Sequence, residues 1–354
     1  MKQIVKYCRE QILLLFSVYS VHFPPFLGTF TLLSFLPAFL YGCNAPQALP
    51  DSSIPEIVTK ISTEAISGKI ADLDIFVFRN DRMQRLDCYQ KVEDPASWNN
   101  EVVSSSGERL IAVCANSGMS AGEWASITSL SYLRNLSFSL ENESIAHPFM
   151  YGVAEVSPGS SSKNKTLYIR PLMSIVELRS IKCDFRERPY AGEVLEDVRV
   201  YLTNVNAEYR IMEDSEILPT RIINAGRLRE EDVALMSDPG MIVRDIEGTI
   251  GEKVWRPGIQ LACYPNNSTT EGPGTPFTRL VIEGKIKGET FYWPLNINKE
   301  DNGYGIGRNE RYRYDITITR KGTKDPDTPV RKEDIDINFS IEKWDEMQEC
   351  EVIF

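Results

Sequence analysis

Histidine is almost absent from this 354-residue chain, which contains only His22 and His147. Histidine supplies the general base of most catalytic triads and is a common metal ligand. His147 precedes Pro148, a context that predicts a loop. The shortage therefore argues against triad hydrolases and histidine-rich metal sites, and neither a cofactor nor a bound metal is expected.

Closely spaced cysteine pairs are also missing. The seven cysteines lack the C-x-x-C spacing of structural zinc sites. Several lie within apolar, strand-like runs, as Cys114 does in residues 110–115. This placement predicts buried thiols that pack as small hydrophobic groups.

Positive charge is also in short supply. The chain contains 39 Lys and Arg but 50 Asp and Glu, for a net charge of −11. Nucleic-acid binding requires Lys and Arg to neutralise phosphates, so no nucleic-acid partner is expected. Glu230, Glu231 and Asp232 are consecutive, and on a helix their carboxylates would point apart. We predict no enzymatic activity, although a hydrolase that uses a carboxylate pair is not excluded by the lack of histidine.

Three segments could bind ions. Residues 325–327 and 334–336 carry aspartates that could contribute oxygen ligands to calcium, but the EF-hand spacing is missing and a solvated acidic loop is favoured. The glycine-rich run at 303–307 lacks the lysine of a phosphate-binding loop and is interpreted as a turn.

Cys43 is the residue most informative about localisation. It ends a long apolar segment in the sequence LYGC at residues 40–43, which is typical of a bacterial lipobox, and the leader begins with basic residues. We predict a signal peptide at 1–42, acylation of Cys43 (palmitate included), and a flexible tether at 43–56. Stable anchoring needs more than one acyl chain, which a multiply acylated cysteine provides.

A retained transmembrane helix is the alternative for the leader, which has enough apolar residues to span a bilayer. Pro24, Pro25 and Pro37 interrupt it, and proline inside a helix costs about 3 kcal/mol. The leader is long for a signal peptide, so translation could also start downstream at a non-Met codon. The segment 44–51 carries a single acid, so exposure on the outer leaflet is left open.

The body of the chain alternates apolar and polar residues, which predicts strands with one buried face. Strand-like runs lie at 73–79, 85–89, 109–115, 168–181, 198–203, 280–294, 312–318, 335–341 and 351–354. We predict an all-β fold of two tandem β-sandwich domains, at 57–182 and 183–354. One helix is predicted from the spacing of Trp124, Ile127, Leu130, Leu133 and Leu136, and a second short helix at 230–236.

Three motifs occur in a specific order along the chain. A strand at 73–79 follows the lipobox, residues 167–178 end the first predicted domain, and residues 306–318 contain Arg308, Asn309 and Tyr312 before a strand that ends at 344. Together they resemble the fimbrillin superfamily of Bacteroidetes type V pili, especially its lipid-anchored anchor subunits.

The resemblance implies two transthyretin-like β-sandwiches and assembly by strand exchange, in which one subunit completes the sheet of the next. In the stalk subunits of the family, a protease cuts after an arginine near the N-terminus and removes the lipid. Here no arginine occurs between Cys43 and Phe78, and the first is Arg79. We therefore predict that lipid and first strand are kept, as expected of an anchor in the outer membrane that holds a fimbrial stalk subunit.

The C-terminal end is the predicted contact with the stalk subunit. The candidate residues are Ile335, Ile337, Phe339, Ile341, Val352, Ile353 and Phe354. The alternative is that this end only completes the second sandwich.

A glycan-binding surface lipoprotein, or an adhesin or tip subunit, is the alternative function. It would use exposed aromatic side chains, and the candidates are Trp255, Tyr292, Trp293, Tyr304 and Tyr312. Aromatic residues also dominate protein cores, so core packing is favoured for them.

Overall fold

The computed structural model describes residues 56–62, 70–95, 101–105, 107–157, 165–211, 219–299, 303–330, 335–343 and 348–353. All of them lie in the compact unit Ser53–Phe354. The predicted signal peptide, Cys43 and most of the tether lie outside the described residues. None of the helices in the described part is long and apolar enough to cross a membrane.

The first part of the chain is built from strands with a short helical insertion. The strands are β1 (Glu56–Ser62), β2 (Leu73–Arg79), β3 (Leu86–Val92), β4 (Glu101–Ser105), β5 (Arg109–Ala115), β6 (Ser137–Ser139), β7 (Met150–Val156) and β8 (Lys165–Pro171). The helices are α1 (Ala121–Trp124) and α2 (Leu130–Arg134), with a 3-10 turn at Leu140–Asn142.

The second part continues with short strands and hairpins. The strands are β9 (Ser174–Cys183), β10 (Glu196–Thr203), β11 (Val205–Asn206), β12 (Glu208–Arg210), β13 (Ile222–Ile223), β14 (Val243–Ile246), β15 (Ile259–Cys263), β16 (Arg279–Ile286), β17 (Glu289–Asn296), β18 (Glu310–Ile318), β19 (Ile335–Lys343) and β20 (Gln348–Ile353). Helix α3 is Glu230–Val233, and a 3-10 turn lies at Pro239–Met241.

The first sandwich is one antiparallel sheet in the order β3-β2-β5-β7-β8-β20-β1-β4. It bends at β7 and β8, which pair at only two positions. Its two ends approach each other, because the amide of Ser105 in β4 donates to Asp87 in β3 at 3.0 Å. An apolar core that includes Ile75, Val113 and Leu167 fills the space between the two layers.

Strand β2 is buried on both faces, as its apolar sequence predicts. Ile75 and Val77 face the sandwich core, whereas Phe76 and Phe78 belong to a second cluster. The ring of Trp124 meets that of Phe76 edge-on, with centroids 5.0 Å apart. The helical insertion thus covers the outer face of the first sheet.

The predicted helix at 124–136 is two helices instead of one. Trp124, Ile127, Leu130 and Leu133 are buried, as their spacing requires. Ser129 interrupts the helix because it is extended (φ −154°), caps α2 and forms a β-bridge with Arg85. A cap of this type starts a new helix rather than continuing the old one.

The second sandwich packs the sheet β14-β10-β16-β17 against the sheet β15-β9-β18-β19. All pairings are antiparallel except that of β9 with β18. The predicted hairpin at 280–294 is confirmed as β16 and β17. Lys287 and Gly288 form its turn with positive φ values of 53° and 75°, as a two-residue turn of this kind requires.

The all-β sandwich fold is therefore confirmed, and the sheets also show where the chain passes between sandwiches. The single strand predicted at 168–181 is divided at Leu172 and Met173, next to Pro171, into β8 of the first sandwich and β9 of the second. The change lies upstream of the boundary predicted at 182. Proline ends β8 because it lacks the amide that would continue the ladder.

Several residues that the sequence offered as candidate sites have structural roles, as buried thiols or as members of hydrogen-bonded loops. Cys114, Cys183 and Cys263 are buried, and burial raises the pKa of Cys263 to about 12. Asp327 pairs with Arg279 at 2.5 Å, while Asp325 accepts hydrogen bonds from the loop itself. Gly305, with φ 83°, lies in a turn against Asn266.

Candidate functional site

The C-terminal strand β20 lies inside the first sandwich, although β19 lies in the second. It pairs antiparallel with β8 at five positions, from Gln348 opposite Ile169 to Val352 opposite Lys165. On its other side it pairs with β1 at three positions, including Ile353 opposite Lys60. Strands β1 and β8 therefore form a slot that the end of the chain fills.

Strand β8 forms one wall of the slot, and its side chains are alternately buried and exposed. Leu167 and Ile169 are fully buried in the sandwich core, and Tyr168 between them is 43% exposed. The close approach of β7 to β8 requires Gly152, because a Cβ at this position would lie 2.0 Å from the carbonyl oxygen of Tyr168. Strand β8 pairs with β7 only at Arg170 and Pro171, and with β20 from Lys165 to Ile169.

The predicted contact residues of β19 lie on a different sheet from those of β20. Ile335 is buried, and Ile337 and Phe339 pack against the second core. The ring of Phe339 lies 4.8 Å from that of Tyr314. Ile341 is 45% exposed at the end of the strand. The apolar side chains of β19 thus mainly complete the second sandwich.

The remaining predicted contacts belong to the end of the chain. Val352 and Ile353 lie in β20, and Val352 is opposite both Ile61 of β1 and Lys165 of β8. Phe354 and the lipidation candidate Cys43 lie outside the described residues. The structure therefore separates the predicted contact surface into a core strand, β19, and a strand placed in the slot, β20.

Strand β19 also offers a sheet edge. It pairs with β18 along its whole length, and no other described strand pairs with its outer side. Arg313 of β18 donates to Glu342 of β19 at 2.5 Å and to Glu177 of β9 at 3.1 Å. The pair with Glu342 joins β19 to β18, and the pair with Glu177 joins β18 to β9.

Arg79, the first arginine after Cys43, is part of a β-ladder. Its amide donates to the carbonyl of Arg85 at 2.9 Å, and it pairs with Arg109 of β5. The next arginine, Arg82, is exposed in a tight turn that Asp81 closes by accepting two backbone amides. Arg79 is thus held in the sheet by backbone hydrogen bonds, whereas Arg82 lies in a short hydrogen-bonded turn.

Arg308 connects the two sandwiches, a role that its sequence context alone does not reveal. Its guanidinium donates to the backbone carbonyls of Tyr151, Arg170 and Pro171, at 3.0, 2.9 and 3.0 Å. These carbonyls belong to the corner where β7 meets β8. The arginine in the sequence motif thus fixes the second sandwich to the bend beside the slot.

Glu143 is a second junction residue, and no sequence signal indicated it. Its carboxylate is buried and accepts hydrogen bonds from the amide of Phe149 at 2.9 Å and the hydroxyl of Tyr264 at 2.8 Å. Both donors are uncharged. Burial raises the pKa of Glu143 to about 7, and the two hydrogen bonds oppose that shift only in part.

Stability should consequently fall between mildly acidic and neutral pH. Above the usual pKa of 4.5 the unfolded carboxyl ionises, whereas the folded one stays protonated up to about 7. The stabilisation is thus complete below 4.5 and is lost as pH rises through 7, for a total of about 3 kcal/mol. Urea unfolding of the wild type at about pH 5 and about pH 8 should show the difference. Glu143→Gln should remove this part of the pH dependence, and an unchanged slope would contradict the assignment.

The aromatic residues considered for glycan binding are mostly structural. Trp293 and Tyr312 are fully buried. Trp255 and Tyr292 are partly buried, and Trp255 packs against the main core. Tyr304 is 85% exposed. This distribution favours the core-packing interpretation.

Comparison with known proteins identifies the fold. No family model and no curated protein sequence matches the chain. A candidate cell adhesion protein from Bacteroides eggerthii is 17% identical over 78% of this chain and 89% of its own, with a TM-score of 0.59. A second, from Parabacteroides distasonis, is 14% identical over 82% and 96%, with a TM-score of 0.56.

A fimbrilin from Porphyromonas gingivalis is also similar in structure. It is 15% identical over 82% of this chain and 96% of its own, with a TM-score of 0.55. At identities this low the likeness shows the fold alone. The resemblance to the fimbrillin superfamily, first indicated by three motifs, is confirmed at the level of the fold.

Proposed function

We propose that this protein is a member of the fimbrillin superfamily that anchors a fimbrium to the outer membrane and has no enzymatic role. The observation that carries the proposal is the placement of β20, the last strand of the chain, between two strands that do not pair with each other. The shared fold with a fimbrilin and with candidate adhesion proteins supports it.

Strand exchange is the proposed mode of contact. A terminal strand can leave a sheet without moving the rest of the chain, and the strands it leaves become open edges. Released from its own slot, β20 would add to the sheet of the lowest stalk subunit through main-chain hydrogen bonds. Strand β19 would stay in place because Phe339 packs in the second core and Glu342 is paired with Arg313.

Permanent membrane attachment is the other half of the proposal. Acylated Cys43 would hold the chain to the membrane, and the ladder positions of β1 would keep the N-terminal strand in the first sandwich. The tether offers no arginine for cleavage. Arg79 is held in the sheet, which supports retention of the lipid.

An engineered disulfide that holds β20 in the slot, here called the β8–β20 lock, tests strand exchange directly. Tyr168 and Glu349 are opposite each other in β8 and β20, so Tyr168→Cys with Glu349→Cys places two thiols at facing positions. Facing residues of antiparallel strands are close enough for a disulfide after small adjustments. The oxidised variant is expected to lose co-purification with the stalk subunit, and reduction should restore it.

The matched control is a lock that leaves β20 free. Lys285→Cys with Thr290→Cys joins facing positions of the β16–β17 hairpin in the second sandwich. This variant should co-purify with the stalk subunit whether oxidised or reduced. Equal binding by both redox forms of the β8–β20 lock would rule out release of β20.

A further inference from the structure

A buried cluster of charged residues joins β2 to β3 on the face covered by the helical insertion. Asp74 and Lys91 are directly opposite each other in the two strands. The side chain of Asp74 is fully buried, that of Lys91 is 20% exposed, and the lysine Nζ lies 3.4 Å from the aspartate Oδ1. The lysine also donates to the carbonyl of Met119 at 3.0 Å.

The carboxyl group of Asp74 is held by two hydroxyls. Tyr89 donates to its Oδ1 at 2.8 Å and Ser117 to its Oδ2 at 2.6 Å. Both oxygens are therefore hydrogen-bonded while the ammonium approaches one of them. Donors in these positions can stabilise negative charge that develops on a carboxyl oxygen during attack on its carbon.

Asp72 provides a third ionisable group beside the pair. Burial raises its pKa, the ammonium of Lys91 partly opposes this, and the charge of Asp74 raises it further. The Oδ1 of Asp72 is buried and accepts no hydrogen bond from any residue in the described part of the chain. Asp72 is thus a carboxyl group two residues before Asp74, within electrostatic range of Lys91, with an oxygen free to accept a proton.

We propose that Lys91 and Asp74 condense to an intramolecular amide that links β2 to β3 covalently. Lys91 Nζ gives up a proton, with Asp72 as the relay, and the neutral amine attacks Cγ of Asp74. The new C–N bond forms, one C–O bond breaks, and that oxygen leaves as water with the two protons lost by nitrogen. No oxidant or further reactant is needed.

Burial favours amide formation between Lys91 and Asp74 in particular. A buried ion pair carries a desolvation cost that can exceed the attraction between its two charges. Condensation removes both charges and leaves a neutral amide among the same hydrogen-bond donors. The link would close a loop of the chain whose ends are 17 residues apart, and it would hold the hairpin against force applied through the N-terminal anchor.

Peptide mapping of the protein purified from membranes decides the question. Trypsin should release residues 70–79 joined to residues 86–109, because amidated Lys91 is no longer cleaved. The joined species should be lighter by one water than the sum of its two parts, and fragmentation should place the link at Lys91 and Asp74. Linear peptides that end at Lys91, with no joined species, would overturn the proposal.

A second lysine–aspartate pair serves as the internal control. Lys285 and Asp197 are 2.8 Å apart but 43% and 71% exposed, so they should remain unlinked in the same digest. Lys91→Arg keeps the positive charge and should abolish the joined species. Asp72→Asn should greatly reduce it, and an undiminished yield in this variant would exclude Asp72 as the relay.

Discussion

Removal of residues 349–354 is expected to release fimbriae from the cells into the medium. This deletion takes away nearly all of β20, the strand proposed to enter the stalk subunit. It also leaves β1 unpaired at three positions along the slot and β8 at four, because only the pair of Gln348 with Ile169 remains. With a net contribution of about 1 kcal/mol per hydrogen bond, the first sandwich should lose about 5 kcal/mol of stability. Shed fimbriae can be measured by immunoblotting of medium and cells.

A synthetic peptide separates loss of the fold from loss of the contact. Peptide 344–354, added to the truncated protein, can occupy the slot and should restore its thermal stability. It is not joined to the second sandwich, so it should not restore retention of the fimbriae. If truncated cells keep their fimbriae as the wild type does, β20 is not the contact.

Replacement of Cys43 by alanine should move the protein out of the membrane fraction, and the fimbriae with it. Each buried acyl CH₂ contributes about 0.8 kcal/mol to membrane binding, and a single chain is only marginally sufficient. Without the cysteine no chain is attached. Cys88→Ala, which changes a half-buried thiol of β3, should leave membrane retention unchanged. Fractionation of cells into membrane and soluble parts measures both variants.

Mass spectrometry of the mature N-terminus is the complementary measurement. An acylated terminus at Cys43, followed by the uncut tether, is the expected result. A terminus further along the chain without acyl groups would contradict the anchor role. Retention of Cys43→Ala in the membrane would instead favour the alternative of an uncleaved N-terminal helix.

Local structure was largely predictable from sequence because strands and turns depend on neighbouring residues. The run at 109–115 coincides with β5, and the hairpin at 280–294 has its turn at Lys287 and Gly288. The alternation around Tyr312 and Tyr314 correctly indicated a strand with one buried face. The helix at 124–136 was predicted less well, since its apolar spacing does not reveal the interruption at Ser129.

Strand partners were not predictable in the same way. Periodicity identifies the buried face of a strand, but backbone hydrogen bonds are chemically alike in every pair, so the pattern does not select a neighbour. The runs at 335–341 and 351–354 are close in sequence, yet β19 joins the second sandwich and β20 the first. The contacts of Arg308 and Glu143 depend on the same long-range arrangement.

By itself the sequence determined the class of the fold and the positions of most strands. It also predicts that Cys43 is acylated. These properties follow from composition, from alternation and from a short motif, all of which are local. Only the tertiary structure decided that the end of the chain fills a slot between β1 and β8. It also decided that Lys91 meets the buried carboxyl group of Asp74. The slot comes from pairing between segments distant in sequence, and the charged cluster from the register and burial of two consecutive strands. In both cases burial and geometry, rather than residue type alone, select the partner.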